Sequence, residues 1–489
     1  MSPYPDNSRS RRNAAFLLGA VAFLSFIYFY EGGGWNQNSR FDLLRAIVER
    51  HTLQIDAYHE NTQDLAHFKG HYYSDKAPGV VFLAVPVAVA ARSVLQIAGV
   101  DPNSVRGEFF LSYVVGVFTI ALPTAFAAVC LFYLGLRLGA GASGAGFAAI
   151  VMCIGTALWA YASLFWAHAL VGACLIFGFA AALKLRDGEH EFFWALIVGV
   201  AAGWATVTEY PAAPASAALA FLALWAVGKR RESRLRVAAG IAIGAGICVL
   251  VLVGYLYAAF GSLRPSYAYY DPNSFSFMQQ RGYLGLTYPH PDRLLKLLFG
   301  CSRGLLFASP VLVAAPVGLW KLWRDRTYAV PASVAAGIAT YYFLFNASFY
   351  WWKAGLSFGP RYAGACIPLL CLGLAVSWSR AGRAGRGVLL VLAACGVFVS
   401  LMAVSTTSQL SMQDSCPIVH STWPAFWSGH MAINRDSMLI PSEAGSSGRY
   451  GAFNLGQLLG LQGLASLVPL LLAWAIAGFL WMRIRRQTA

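Results

Sequence analysis

Apolar residues recur in this chain in runs long enough to cross a bilayer, about 17 to 25 residues each. Six runs centre on residues 14–30, 109–135, 144–162, 166–184, 192–209 and 211–228, and six more on 237–259, 303–320, 328–346, 362–378, 387–405 and 460–481. Hydrophobic residues make up 58% of 489 and charged ones only 12%, so most of the surface must face something other than water. This is the pattern of an all-α polytopic membrane protein. A further run, 79–99, is interrupted by Pro86 and Arg92. Counting it as a span would put the termini on opposite sides, yet Arg9, Arg11 and Arg12 at one end and Arg483, Arg485 and Arg486 at the other both ask for the cytoplasm. Residues 79–99 are therefore read as dipping into the outer leaflet or packing on the bundle, which leaves twelve spans.

The charges agree with that count. With twelve spans the inner segments hold 20 Lys and Arg against 6 acids, and the outer segments hold 16 against 15. The net charge of +15 is thus a topology signal and excludes nucleic acid as a partner. The first run follows basic residues and no small-residue cleavage site follows it, so it is read as an uncleaved anchor. The nine cysteines mostly sit inside apolar runs with no CxxC spacing, and read as small core residues. Only Cys301 and Cys416 fall in or beside long loops, and a bridge between them is not expected.

The polar residues concentrate in four outer regions, 31–108, 261–302, 347–361 and 406–457. In the first, residues 39–50 place Phe41, Leu44, Ile47 and Val48 on one side of a helix and Arg40, Arg45, Glu49 and Arg50 largely on the other, as in a helix lying flat on a membrane surface. Six acids follow one another through this loop. Asp56, set in IDAY, and Asp75, beside Lys76, are the preferred carboxylates for chemistry. Asp42 is a further candidate that also suits pairing with Arg45, and Asp64 is read as a turn cap. Four histidines, 51, 59, 67 and 71, invite a metal reading, but Lys69 and Gly70 between His67 and His71 break the helical spacing. No cofactor is assigned, and a divalent metal is only weakly indicated.

The loop 261–302 is rich in tyrosine, including Tyr269 and Tyr270, whose rings suit a bilayer interface and a sugar equally. In 349–362, FYWWKAGLSFGPRY, the cations Lys353 and Arg361 stand among aromatics on the outer side, against the positive-inside bias, which points to a phosphate partner. His168 and Glu209 lie at outer ends of spans, where an ionisable group is a functional candidate by default.

In layout the chain resembles the GT-C superfamily of membrane glycosyltransferases, and within it the protein O-mannosyltransferases and the lipid A aminoarabinose transferases. Arg40 in NSRF resembles the Arg that those families carry on an interfacial helix. YYSDKAPG resembles their tyrosine-rich segment ending in Lys-Pro-Pro, which gives Lys76 the phosphate-binding position, and Arg361-Tyr362 followed by Pro368 resembles their late Arg-Tyr motif. Where those families carry an Asp-Glu pair, this chain has Gln37-Asn38, so the carboxylate is sought in Asp56, Asp75 or Asp42. Asn36, Gln37 and Asn38 remain candidates to hydrogen-bond a substrate.

The resemblance implies a bundle of about 12 transmembrane helices with a long outer first loop carrying interfacial helices. Residues 1–405 form the catalytic module, 406–459 an outer segment, and 460–489 the last span and a basic tail. It also implies a function: transfer, with inversion, of a sugar from a polyprenyl-phosphate donor to an envelope glycolipid, polysaccharide or protein, outside a bacterial inner membrane. Arg40, Lys76, Lys353 and Arg361 would hold the donor phosphate. The rival reading, a flippase or transporter of lipid-linked sugars, calls for charges at the bilayer midplane and paired broken helices.

Overall fold

The computed structural model describes residues 8–273, 276–433 and 451–486. The first helix, α1 (Ser8–Ile27), leads through a short strand β1 (Phe29–Glu31) into α2 (Trp35–Arg50). A hairpin of β2 (Leu65–Phe68) and β3 (His71–Ser74) then delivers the chain to α3 (Gly79–Ile97). The bundle continues with α4 (Val105–Arg137), α5 (Gly141–Ile154), α6 (Ala167–Lys184), α7 (Glu191–Thr208), α8 (Ala213–Ala226) and α9 (Arg231–Phe260). After the aromatic loop come α10 (Pro291–Phe299), α11 (Ala315–Arg324), α12 (Ala329–Ser348), α13 (Ile367–Ser379) and α14 (Arg383–Thr406). Strand β4 (Ala452–Asn454) pairs antiparallel with β1, and α15 (Val468–Arg486) closes the bundle against α1.

Among the described residues, nine helices are long and apolar enough to cross a membrane. Four of the twelve expected runs fall short, each for a local reason. Helix α1 spends its first turns on Arg9, Arg11 and Arg12, and α8 has only 14 residues. The run 144–162 breaks after α5 at Gly155, and the run 303–320 breaks at Ser309-Pro310, where proline removes a helical donor. The two breaks meet: the backbone N–H of Ala157 donates to Ser309 Oγ at 3.1 Å. These are paired broken helices, but no ionisable side chain stands in either break.

Helix α3 meets the length and composition of a span, so those criteria do not demote residues 79–99. Its packing is informative. It lies against α2, α7 and the N-terminal half of α4, including the π turn Val117–Ala121. That half of α4 is also where Tyr113 donates to the Ile27 carbonyl at the end of α1. Helix α3 therefore runs beside the end of the bundle where α1 finishes, with Val89, Val94 and Ile97 turned outward.

Helix α2 departs from the expected surface helix. Asn36 to Leu44 and Ala46 are all buried, polar residues included. It is wedged into the bundle because its polar side chains find partners inside: Gln37 accepts from the backbone N–H of Phe165 at 2.8 Å, and Asn38 donates to the Asn61 carbonyl at 2.6 Å. It begins at Gly34, whose φ of +112° suits glycine and where a Cβ would collide with the Gln409 side chain. Helices α7 and α9 pack backbone to backbone through Gly199 and Gly244, and Glu209 follows directly on the last residue of α7.

Candidate active site

The hairpin sets the first half of the site. Lys69 and Gly70, both at positive φ, close it, and its register pairs Leu65 with Ser74. Asp64, just before β2, and Asp75, just after β3, are thereby brought side by side. Lys76 Nζ sits between them, 2.8 Å from Asp64 Oδ2 and 2.8 Å from Asp75 Oδ2. The loop 261–302 lies against this pair: Tyr270 bridges to Ala66, and Ser266 Oγ donates to the Asp75 carbonyl at 2.7 Å. Asp75 is 2% exposed, and burial raises its carboxyl pKa, with the Lys76 ammonium opposing. Burial works against the charge on Lys76, but Asp64 and Asp75 outweigh it and hold its pKa above the ordinary value.

Arg40 projects from α2 towards the same place. Its guanidinium donates to the carbonyl and side-chain oxygens of Asn36, has no carboxylate within ion-pair distance among the described residues, and is pushed by burial down to about 10, still charged at neutral pH. Arg361, in the turn before α13, lies over the Trp166 ring at 4.7 Å and the Tyr362 ring at 5.6 Å. It too has no carboxylate partner among the described residues, and its Nε lacks a hydrogen bond. His168, on the first turn of α6, places Nδ1 2.5 Å from Glu209 Oε1.

Two cavities meet at these residues. The larger, about 430 Å³, runs from Arg40, Asp75, His168 and Glu209 towards an apolar wall that includes Pro211, Pro214, Tyr341, Phe345 and Phe349. The smaller, about 210 Å³, is lined by Trp35, Asp64, Trp166, Trp351, Gln409 and Met412. Asn36, Lys76, Tyr270, Met278, Arg361 and Tyr362 line both.

Of the residues singled out in the sequence, Arg40, Lys76, Arg361, Asp75, Asn36, His168, Glu209 and Tyr270 come together here. The others do not. Asp56 lies apart from the cavities: it accepts from the Tyr72 N–H at 2.6 Å and pairs with His71 at 2.8 Å, so it holds the hairpin and stays 40% exposed. Asp42 is buried on another side of α2, accepting from Asn61 at 3.1 Å. Lys353 turns away, donating to the Met412 carbonyl at 2.8 Å. Gln37 and Asn38 are scaffold, as described, and Tyr269 stacks on Phe260 with ring centroids 4.6 Å apart. Of the histidines, His51 caps α2, His59 and His67 lie against the Tyr72 ring, and His71 pairs with Asp56. Among the described residues no group of three or more His, Cys, Asp or Glu is placed to hold a metal ion.

Sequence reasoning missed three features. Asp64 is an ion-pair partner of Lys76 rather than a turn cap, and only the hairpin register reveals it. Glu31 is buried, its carboxylate taken up by Thr407 Oγ1, the Ser408 N–H and Gln409 Nε2, all at 2.8 Å. Cys301 and Cys416 form a disulfide that ties the segment before α11 to the 409–416 loop. Beside it the fully buried Arg303 donates to the carbonyls of Lys353, Gly355 and Leu410.

No known family profile matches the chain, and no curated protein matches it. Solved structures do. The crystal structure of ArnT from Cupriavidus metallidurans bound to undecaprenyl phosphate is 16% identical, aligns over 81% of this chain and 65% of that one, and has a TM-score of 0.51. The chain shares the fold of this GT-C structure. The archaeal oligosaccharyltransferase AglB from Archaeoglobus fulgidus, in complex with an inhibitory peptide and a dolichol-phosphate, is 11% identical over 81% of this chain and 55% of its own, with a TM-score of 0.45. The chain thus spans less than two thirds of the length of either GT-C structure. With this fold and its apolar helices the chain is a multi-pass membrane protein.

Proposed function

We propose that this chain is a membrane glycosyltransferase that moves a sugar from a polyprenyl-phosphate donor to an acceptor hydroxyl at the outer face of the membrane. The observation that carries the reading is the junction of the two cavities at Lys76 and Arg361, with Arg40 beside it in the larger one. Two buried guanidinium groups without carboxylate partners among the described residues are costly unless an anion completes them. A phosphate does so, and the apolar wall beyond suits its isoprenoid tail. The GT-C fold, and the undecaprenyl phosphate in the ArnT crystal, support the same assignment. The charge distribution of the sequence and the disulfide support an outward-facing site.

In the transfer itself the acceptor oxygen attacks the anomeric carbon from the smaller cavity while the bond from that carbon to the phosphate oxygen breaks. The electron pair leaves with the phosphate, where Arg40, Arg361 and Lys76 stabilise the growing charge. The acceptor proton passes to Asp64, the carboxylate that lines the smaller cavity; Asp75 orients Lys76 and Tyr270. A single displacement inverts the anomeric centre. The ionisable groups gather at helix ends, with His168 beginning α6 and Glu209 ending α7, which favours transfer over transport.

The test is release of polyprenyl phosphate from a panel of polyprenyl-phosphate sugars by the purified protein in nanodiscs. Release by the wild type and none by D64N is expected. If no donor in the panel is bound or turned over, the reading fails.

A further inference from the structure

The smaller cavity has a character that the donor reading does not use. Its walls are the rings of Trp35, Trp166, Trp351 and Tyr270, and its polar groups away from the shared cations are Asp64, Gln409 and Asn36, the last of which gives its side-chain oxygen to Arg40. Gln409 spends its amide N–H groups elsewhere, donating to Glu31 Oε1 at 2.8 Å and to the Gly33 carbonyl at 2.6 Å, which leaves Oε1 as an acceptor. Asp64 is likewise an acceptor. The cavity therefore offers aromatic faces, two acceptors in Asp64 and Gln409 and the Asn36 amide as a donor, a mixture that suits hydroxyl groups and C–H faces.

That requirement separates the acceptor classes. A phosphate group brings only more acceptors and a negative charge beside Asp64. A peptide side-chain amide brings one donor group and no ring face. A sugar ring brings several hydroxyl donors around a C–H surface that stacks on indole. The walls are also held in advance. Glu31 fixes Gln409, Arg303 ties the Gly355 and Leu410 carbonyls together, and the Cys301–Cys416 disulfide anchors the same loop. Such preorganisation suits recognition of a rigid ring.

Resting on the donor reading above, we infer that the smaller cavity is a carbohydrate site and that the acceptor is a sugar hydroxyl. Trp351 and Trp35 are its stacking walls, and Asp64 and Gln409 take its hydroxyl hydrogens.

The experiment measures two probes separately on the full-length protein in nanodiscs. Farnesyl phosphate reports the larger cavity. Methyl pyranosides of glucose, galactose, mannose and rhamnose, followed by saturation-transfer NMR, report the smaller one. At least one pyranoside should bind the wild type, W351A should weaken it tenfold or more, and farnesyl phosphate affinity of W351A should stay within twofold. W35A, at a tryptophan already 42% exposed, is the second variant and should show the same split. R40A, at a residue that lines only the larger cavity, should do the reverse. Farnesyl phosphate binding without any pyranoside binding, or pyranoside binding untouched in both tryptophan variants, overturns the acceptor class and leaves the donor reading standing. If neither probe binds, the donor reading falls and the inference with it.

Discussion

Asp64 Oδ2 lies 2.8 Å from Lys76 Nζ, so the hairpin between them folds an acid from before β2 back onto the lysine that follows β3. The pair stands where the two cavities join. An acceptor hydroxyl is a poor nucleophile at neutral pH, and a carboxylate in reach of its proton contributes about 100-fold to 10,000-fold in rate. D64N should therefore lose kcat by that range while binding donor phosphate as the wild type does. Single-turnover transfer and equilibrium binding on the same preparation check it, and full kcat in D64N removes Asp64 from the chemistry.

Asp42 separates burial from catalysis. It lies on α2 with its carboxyl wholly buried and one oxygen without a hydrogen bond, and burial raises its pKa well above the ordinary value. The folded state then holds the proton more tightly than the unfolded state. Its stability contribution is full below the usual carboxylate range and is lost as pH rises through the raised value. D42N removes that loss. The variant should match the wild type at pH 4 and gain on it towards pH 8, by about 1 to 3 kcal/mol, with transfer activity retained. Thermal unfolding across that pH range reads the difference; a constant offset contradicts it.

The Cys301–Cys416 bridge closes a loop of 115 residues, and a cross-link of that span contributes about 2 to 4 kcal/mol. The C301S/C416S double variant should lower Tm and increase pyranoside dissociation more than farnesyl phosphate dissociation, because the 409–416 loop walls only the smaller cavity. An unchanged Tm would leave Arg303 and Glu31 as the anchors of that wall.

Much of this was legible in the sequence because polar groups beside apolar runs are costly and stand out. Arg40, Lys76, His168, Glu209 and Arg361 were each visible as a charge or polar group beside an apolar run, and the structure brings them to one place. What was not legible depends on tertiary register. Asp64 and Asp56 look alike as loop acids, and only the hairpin turns one to Lys76 and the other to His71. Asp42 and Arg40 share one helix, and no periodicity says that the polar face of α2 is buried as well as its apolar face. The breaks at Gly155 and Pro310 hide inside apolar runs, since hydropathy does not register a lost helical hydrogen bond. The disulfide joins two loops that the sequence keeps far apart.

The central claim is that Arg40 and Arg361 await a lipid-linked phosphate, and its most direct test is equilibrium binding of farnesyl phosphate to the wild type, R40A and R361A in nanodiscs. Arg40 lines the larger cavity and Arg361 lines both, each without a carboxylate partner among the described residues, so each loss should cost about 2 to 5 kcal/mol of binding, roughly 30-fold to several thousand-fold in Kd. Wild-type binding with that loss in both variants is the predicted result. Equal affinity in all three proteins would contradict the account.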